Sequence, residues 1–416
     1  MSELLLGGVK ATTLAKEYQT PLYVFDEDKI VGMMQAYIKN FKSEEFATKV
    51  LYASKAFQTV AVINLAASQG LGLDVVSGGE IFTALKSQMP KEKIYFHGNN
   101  KTPQELEFFV ESGLTHVVCD NMMEARLLAN LAEKAQRTIS VMLRLNVGID
   151  AHTHEYINTA FIDSKFGMSY ESAECQQTLA AIAASPYLVL EGFHAHIGSQ
   201  IFEMTAWRAE IDKLVSYLKD FSETLTLNIG GGFGIHYVDS DRPLAPDETA
   251  RELIAYTEKA LAKAQQKIAT LIIEPGRSLV GEAGTTLYTV GFEKKTPHKH
   301  YLFVDGGMTD NIRPALYQAE YQCDIANRLD APKTQAVTVA GKLCESGDVL
   351  IKNANLPTCV AGDILAVYST GAYGYSMSSN YNRALTPAVV FVKDGQSRLV
   401  VKRQTYLDLL RNEVMD

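Results

Sequence analysis

Lys49-Val-Leu-Tyr-Ala-Ser-Lys-Ala-Phe57 is an apolar, β-branched and aromatic run that delivers a lysine, Lys55, at its carboxyl end. Such a run reads as a buried strand, and a charged amine at its exit must face a cleft or a partner and not the core. Taken alone, the stretch fits a strand that simply ends at the surface, where lysine is common. The rest of the chain decides between the two.

On the carboxyl side a rhythm sets in. Strand-like runs at 50–53, 73–76, 94–96, 116–119, 140–145, 189–196, 226–229 and 271–273 alternate with helical spacing at 59–69, 103–112, 122–136, 206–221 and 248–267. Several of these helices open on Thr, Asn or Pro. Strand and helix alternating in eight units predict a (β/α)₈ barrel, with a doubly wound open sheet as the competitor. On the amino side, residues 22–25 read as a short strand, and Asp26-Glu-Asp28 places acids at the positive end of a helix. After Arg277 the pattern changes to strands separated by turns, at 285–292, 300–304, 335–340, 363–369 and 388–393, before a last helix at 405–412. The expected division is a barrel of residues 26–280 and a mostly β domain of 281–416 that also takes residues 1–25.

The composition is that of a globular protein, with 47% hydrophobic and 21% charged residues among 416. A net charge of -9 and a pI near 5.6 argue against nucleic-acid partners, which call for a basic stripe. The amino terminus lacks a secretory pattern and no apolar run reaches membrane-spanning length, so a cytoplasmic protein with small-molecule substrates is expected. Five cysteines without a CxxC pair suggest neither a disulfide framework nor structural zinc.

Barrel enzymes draw their functional residues from the carboxyl ends of strands. Here those exits read Lys55, Asp74, His97, Asp120, Arg144, His194-Ala-His196-Ile-Gly-Ser199, Gly230-Gly-Gly232 and Glu274-Pro-Gly-Arg277. The turn Gly230-Gly-Gly-Phe-Gly234 lets backbone approach an anion, although it is not a GxGxxG fingerprint. Its place with Gly276 and Arg277 is where barrels often seat a phosphate. His194 and His196, two apart on a strand, also suit a metal hydrolase, but later exits supply glycines, Glu274 and Arg277 as partners. His152 and His154 read as solvated loop residues. Glu274 beside Arg277 is either a structural ion pair or a partner for a cationic ring nitrogen. A lysine, an anion seat and a carboxylate together fit pyridoxal 5′-phosphate. Beyond the barrel, Ile312-Arg-Pro-Ala-Leu-Tyr317, Leu343-Cys-Glu-Ser-Gly-Asp348 and the polar aromatic loop from Gly371 to Asn382 stand out.

Tyr52-Ala-Ser-Lys55, His196-Ile-Gly-Ser-Gln200, Glu274-Pro-Gly-Arg277, Cys344-Glu-Ser-Gly-Asp348 and Tyr373-Gly, in this order, closely resemble the diaminopimelate decarboxylases, a family within the fold-type III pyridoxal-phosphate enzymes. The resemblance runs from Tyr23 to Asn382. It implies decarboxylation of meso-2,6-diaminopimelate to L-lysine, with Lys55 as the Schiff-base lysine, His196 stacked on the cofactor ring and Glu274 on the ring nitrogen. Asp74 would lie near the lysine end of the ring, and Ser199, Gly230, Gly231, Gly232, Gly276 and Arg277 would bind the phosphate. Arg277, Arg313, Tyr317 and Glu345 would grip the substrate, Tyr373 would touch both cofactor and substrate, and Cys344 would be the proton donor. It further implies a homodimer in which Cys344 and Glu345 reach the partner's barrel. Ala195 and Lys342 stand where the family is expected to carry cysteine and proline. A polyamine-type decarboxylase, an alanine racemase and a non-catalytic cofactor carrier are the alternatives. The segment 150–168 is a candidate lid.

Overall fold

The computed structural model describes residues 2–149 and 164–414. His152, His154 and most of the segment read as a lid lie outside the described residues. The chain divides into two compact units, Met33–Gly234 with Pro243–Ser278, and Met1–Gly32 with Ile235–Arg242 and Leu279–Asp416.

After a two-stranded antiparallel pair of Leu5–Leu6 with Val9–Lys10 come α1 (Ala11–Tyr18), β1 (Leu22–Asp26) and α2 (Glu27–Asn40). The strands β2 (Ala47–Ala53), β3 (Gly72–Val75), β4 (Ile94–Phe96), β5 (His116–Cys119), β6 (Ile139–Arg144), β7 (Leu188–His194), β8 (Thr226–Asn228) and β9 (Thr270–Ile273) then follow. Each pairs in parallel with the next, and β9 closes on β2 with Thr270 opposite Ala47 and Ile273 opposite Val50. Closure settles the competition with an open sheet. Strands covered on both faces must be apolar throughout, and their inward residues Leu51, Tyr95, Val118, Met142 and Ile272 fill one layer of the barrel.

Between them run α3 (Val60–Ser68), α4 (Gly78–Leu85), α5 (Pro103–Glu111), α6 (Met122–Ala135), α7 (Ala173–Ala184), α8 (Met204–Tyr217) and α9 (Pro246–Ala264). The side chains of Thr59, Ser77, Thr102, Asn121 and Ser172 each accept a first-turn N–H, which fixes where five of these helices begin. The short α10 (Arg277–Val280) follows β9.

In the other unit, β10 (Gly284–Lys295) pairs with β11 (His300–Val304), which is followed by α11 (Arg313–Tyr317), β12 (Cys323–Ile325), β13 (Gln335–Ala340), β14 (Val349–Leu356), β15 (Ile364–Val367), β16 (Ala388–Lys393), β17 (Gln396–Val401) and α12 (Tyr406–Leu410). The sheet runs β14-β13-β11-β10-β1-β16-β17, with β15 also on β10 and β12 on β15. β1 belongs to this sheet, antiparallel to β10 and parallel to β16, as its four consecutive buried residues demand of an interior strand. Leu22 and Val24 join one apolar core with Leu14, Leu287 and Val390; a second core gathers Tyr288, Leu302, Val339 and Leu350. The strands β12, β14 and β17 were not expected from the sequence. β14 is irregular, with Asn353 at φ 55° and register shifts against β13, so it lacks clean alternation. Among the described residues no helix is long and apolar enough to cross a membrane.

Candidate active site at the barrel mouth

β2 ends at Ala53, and Lys55 sits one step beyond it in a single 3₁₀ turn, Ser54–Ala56, as the exposed residue between two buried ones. The turn is pinned from both sides. Ser54 Oγ donates to the Asp74 carbonyl at 2.7 Å, and the Ala53 N–H donates to the Pro275 carbonyl at 3.2 Å. Gly276 permits that approach, because a Cβ there would lie 2.9 Å from Ala53 Cβ. Lys55 is thus held between the exits of β3 and β9.

Glu274 lies at the centre of a buried polar cluster. Asn228 Nδ2 donates to Oε1 at 2.6 Å, His97 Nε2 stands 3.1 Å from the same oxygen, and His194 Nε2 stands 3.2 Å from Oε2. Burial opposes ionisation of Glu274, but His97 and His194 overcome it and hold the carboxyl well below its ordinary range. Burial pushes His194 down to about 4, so at neutral pH it serves Glu274 as an N–H donor and not as a cation. The sequence had offered Arg277 as the basic neighbour; its Nη2 instead donates to Ser199 Oγ at 2.9 Å.

Asp74, at the end of β3, is buried, and its Oδ1 finds no hydrogen-bond partner among the described residues; His97 Nε2 is 3.8 Å away. Burial raises the Asp74 carboxyl, His97 and Lys55 oppose the rise, and Glu274 adds to it. Beside it, Glu80 in the first turn of α4 accepts from the Val76 N–H at 2.8 Å and from Ser54 Oγ at 3.3 Å, and burial pushes it up to about 7. Glu80 was not anticipated, although Ser77-Gly-Gly-Glu80 carries the spacing of a helix capping box. Arg144, at the end of β6, lies 3.9 Å from Asp120 and covers the Phe166 ring at 4.3 Å. It appeared among the exits but had received no role.

His196 is half-buried, and its Nδ1 accepts the Gly231 N–H at 3.2 Å, which fixes the proton on Nε2. Burial, with Lys55 and Arg144 nearby, keeps the ring neutral, well below its ordinary value. The glycine turn is required by close packing. A Cβ on Gly231 would stand 2.2 Å from the Glu274 carbonyl, and Gly230 and Gly232 adopt φ of +62° and +93°. Two of its donors are already in use, since the Gly230 N–H goes to Asn228 Oδ1 at 2.9 Å and the Gly231 N–H to His196.

His97, His194 and Glu274 offer donor atoms within 4.8 Å of one another, a spacing that could surround a metal ion. The Asn228 amide already occupies Glu274 Oε1, Arg144 acts on His194, and Lys55 and Arg144 act on the neighbouring Asp74, so the arrangement reads as a hydrogen-bonded carboxylate beside cations.

The remaining expected residues belong to the β-rich unit. Arg313 is buried, donates from Nη1 to Tyr321 OH and covers the Tyr237 ring at 4.8 Å. Tyr317 is 62% exposed, and Tyr373 is half-buried at φ 62°. Cys344 and Glu345 are exposed on a turn built around Asp348, whose carboxylate accepts the Met308 and Leu343 N–H groups at 2.6 and 2.8 Å. The Cys344 N–H donates to Asn382 Oδ1 at 2.7 Å.

Residues 27–281 match the family described as pyridoxal-dependent decarboxylase, pyridoxal binding domain. The chain is 46% identical over 414 residues to diaminopimelate decarboxylase of Bacillus subtilis, covering 98% of this chain and 94% of that one. It is similar, at a TM-score of 0.93 and 34% identity, to diaminopimelate decarboxylase from M. jannaschii in complex with L-lysine, covering 100% of this chain and 96% of that one. The Helicobacter pylori enzyme with L-lysine gives a TM-score of 0.86 at 31% identity, covering 97% and 98%.

Proposed function

From the premise that the chain belongs to the diaminopimelate decarboxylase family of pyridoxal-dependent decarboxylases, we propose that it converts meso-2,6-diaminopimelate to L-lysine and carbon dioxide. Its cofactor is pyridoxal 5′-phosphate. When bound, that group supplies an electron sink for the pair left behind as carbon dioxide departs.

The barrel residues fit such a group. Lys55, exposed at the mouth, is assigned the covalent link to the cofactor's aldehyde carbon, and Asp74 the position beside it. Glu274, kept anionic by its donors, would hold a proton on the ring nitrogen, and the neutral His196 imidazole would cover the ring face. Ser199, Gly230 to Gly232, Gly276 and Arg277 would take the phosphate. Since the Gly230 and Gly231 N–H groups already donate within the protein, their part is to shape the turn. The observation that carries this reading is the buried Glu274 carboxylate, hydrogen-bonded by Asn228 and His194 with His97 Nε2 3.1 Å away, in the same barrel mouth as Lys55.

The β-rich unit would supply the substrate contacts, Arg313, Tyr317, Glu345 and Tyr373, together with Arg277 of the barrel. The distal amino-acid end of the substrate needs both a cation and an anion, which Arg313 and Glu345 provide. Cys344 would return a proton to the α-carbon. The exposure of Cys344 and Glu345 supports their acting across a homodimer, in the partner's barrel.

Carbon dioxide release from meso-diaminopimelate, L-lysine, L-ornithine and L-arginine tests the substrate: only the first should turn over. Arg313→Ala should reduce that turnover by about 100-fold or more, the loss of a charged substrate contact, while the bound cofactor's absorption stays unchanged. Unchanged turnover would remove Arg313 from the site.

A further inference from the structure

Two histidines at the barrel mouth, His97 and His194, enter the proposed reaction only as neighbours of Glu274. They meet edge to face, with ring centroids 4.9 Å apart at 76°; His194 Nε2 hydrogen-bonds Glu274 Oε2, whereas His97 Nε2 stands within ion-pair distance of Glu274 without hydrogen-bond geometry. His97 differs from His194 in a second respect. Its Nε2 stands 3.1 Å from Glu274 Oε1 and also 3.8 Å from Asp74 Oδ1, so one buried nitrogen lies between two buried carboxylates.

Two carboxylates enclosed together repel each other, and the easiest relief is for one to take up a proton. A protonated Glu274 could no longer accept a hydrogen from a ring nitrogen, and its role would be lost. A ring nitrogen placed close to both acids opposes this electrostatically. Asn228 secures one oxygen of Glu274 from β8, but it does not reach toward Asp74, and His194 serves only the second oxygen. The shared position belongs to His97, which emerges from β4, across the barrel from β8 and β9.

We propose that His97 is a positioning residue for the decarboxylation: it keeps Glu274 anionic and fixes its distance from Asp74, acting through these two acids without touching substrate. The inference rests on the reading of Glu274 as the ring-nitrogen partner.

The test compares His97→Leu, His97→Ala and His97→Gln in the purified, pyridoxal-phosphate-loaded enzyme. Loss of the shared ring nitrogen in the Leu and Ala variants should lower kcat by about 10- to 100-fold with KM within about threefold, the scale seen when an orienting partner is removed. Cofactor retention on dialysis should weaken about tenfold, and the bound cofactor's absorption bands should change in proportion. The Gln variant, whose amide can still donate, should recover most of both. Either removal variant suffices if the other fails to fold.

Wild-type kinetics and spectrum in the removal variants would overturn the proposal. So would a Gln variant no better than Leu with an unaltered spectrum, which would mark a packing role. Stoichiometric bound metal whose removal abolishes activity would overturn it too. Glu274→Gln distinguishes the role of His97 from the role of Glu274 itself. If that variant loses turnover and its cofactor spectrum while His97→Leu does not, only the His97 inference fails. If Glu274→Gln behaves as wild type, the underlying reading fails.

Discussion

The two ends of the barrel carry the same chemical groups in opposite conditions. At the amino-terminal floor, Lys49 Nζ donates to Tyr95 OH at 2.9 Å, Tyr95 OH donates to Glu191 Oε1 at 3.2 Å, and His116 Nδ1 meets Glu191 Oε2 at 2.7 Å. The Tyr95 and His116 rings stack at 4.4 Å. Each polar group there has a matched partner, and the network closes the barrel. At the mouth, Lys55, His97, His194, Asp74 and Glu274 repeat the lysine, histidine and carboxylate inventory, but carboxylates crowd together and Asp74 Oδ1 has no hydrogen-bond partner among the described residues. Residue type therefore does not separate structure from function in this fold. The balance of partners does, because an under-satisfied buried cluster costs stability that only a ligand or a reaction can justify.

Removing one lysine from each end tests this contrast most directly. Lys55→Ala should abolish the bound cofactor's absorption and lower decarboxylation by at least about 10³-fold, as expected when a covalent group of a concerted site is lost, with little change in thermal midpoint because the side chain is exposed. Lys49→Ala should leave the spectrum and kcat within about twofold and lower stability by about 1 kcal/mol through its hydrogen bond to Tyr95. A Lys49 variant as inactive as the Lys55 variant would end the distinction between floor and mouth.

A smaller effect is expected from Glu191→Ala, which takes the acceptor from both Tyr95 and His116. Denaturant unfolding should show a loss of about 2 kcal/mol, the cost of leaving such groups unpaired in a partly buried setting. Activity at a temperature well below the midpoint should be unchanged. A fall in kcat without a loss of stability would mean that the floor reports to the mouth.

Much of this contrast was legible in the sequence, and the remainder was hidden for a geometric reason. Strand exits could be read because apolar runs end abruptly in polar residues, and the change of rhythm after Arg277 marked the β-rich unit. The partners of Glu274 could not be read. Sequence adjacency pointed to Arg277, three residues on, whereas barrel closure brings His97 from β4, His194 from β7 and Asn228 from β8 to the same carboxylate. Nothing in the local pattern encodes which exits share a layer, since that depends on the stagger of every strand around the barrel. Glu80 was overlooked because Gly78 and Gly79 weaken the helical signal of α4, although Ser77 and Glu80 stand at capping distance.

The outer layer holds a case that tests whether missing partners suffice to mark a site. Glu210, on α8, is fully buried, and neither carboxylate oxygen has a partner among the described residues. Burial pushes its carboxyl well above the ordinary value, with Glu274 adding to the rise. An acid whose folded value is raised contributes stability that is full below the unfolded value, about 4.3, and is lost as pH climbs through the folded one. Glu210→Gln, neutral at every pH and close in shape, removes that dependence. Between pH 6 and 7 the variant should therefore gain on the wild type by up to about 1.4 kcal/mol, the limit for one proton per pH unit, while the two converge near pH 4. A stability difference that stays flat with pH would mean that Glu210 is not the proton-holding acid its burial makes it. Unchanged decarboxylation in the same variant would show that an unpartnered buried acid outside the barrel mouth is a stability defect and no more. The functional mark is then the conjunction at Asp74, His97 and Glu274, where missing partners coincide with a cluster of strand exits.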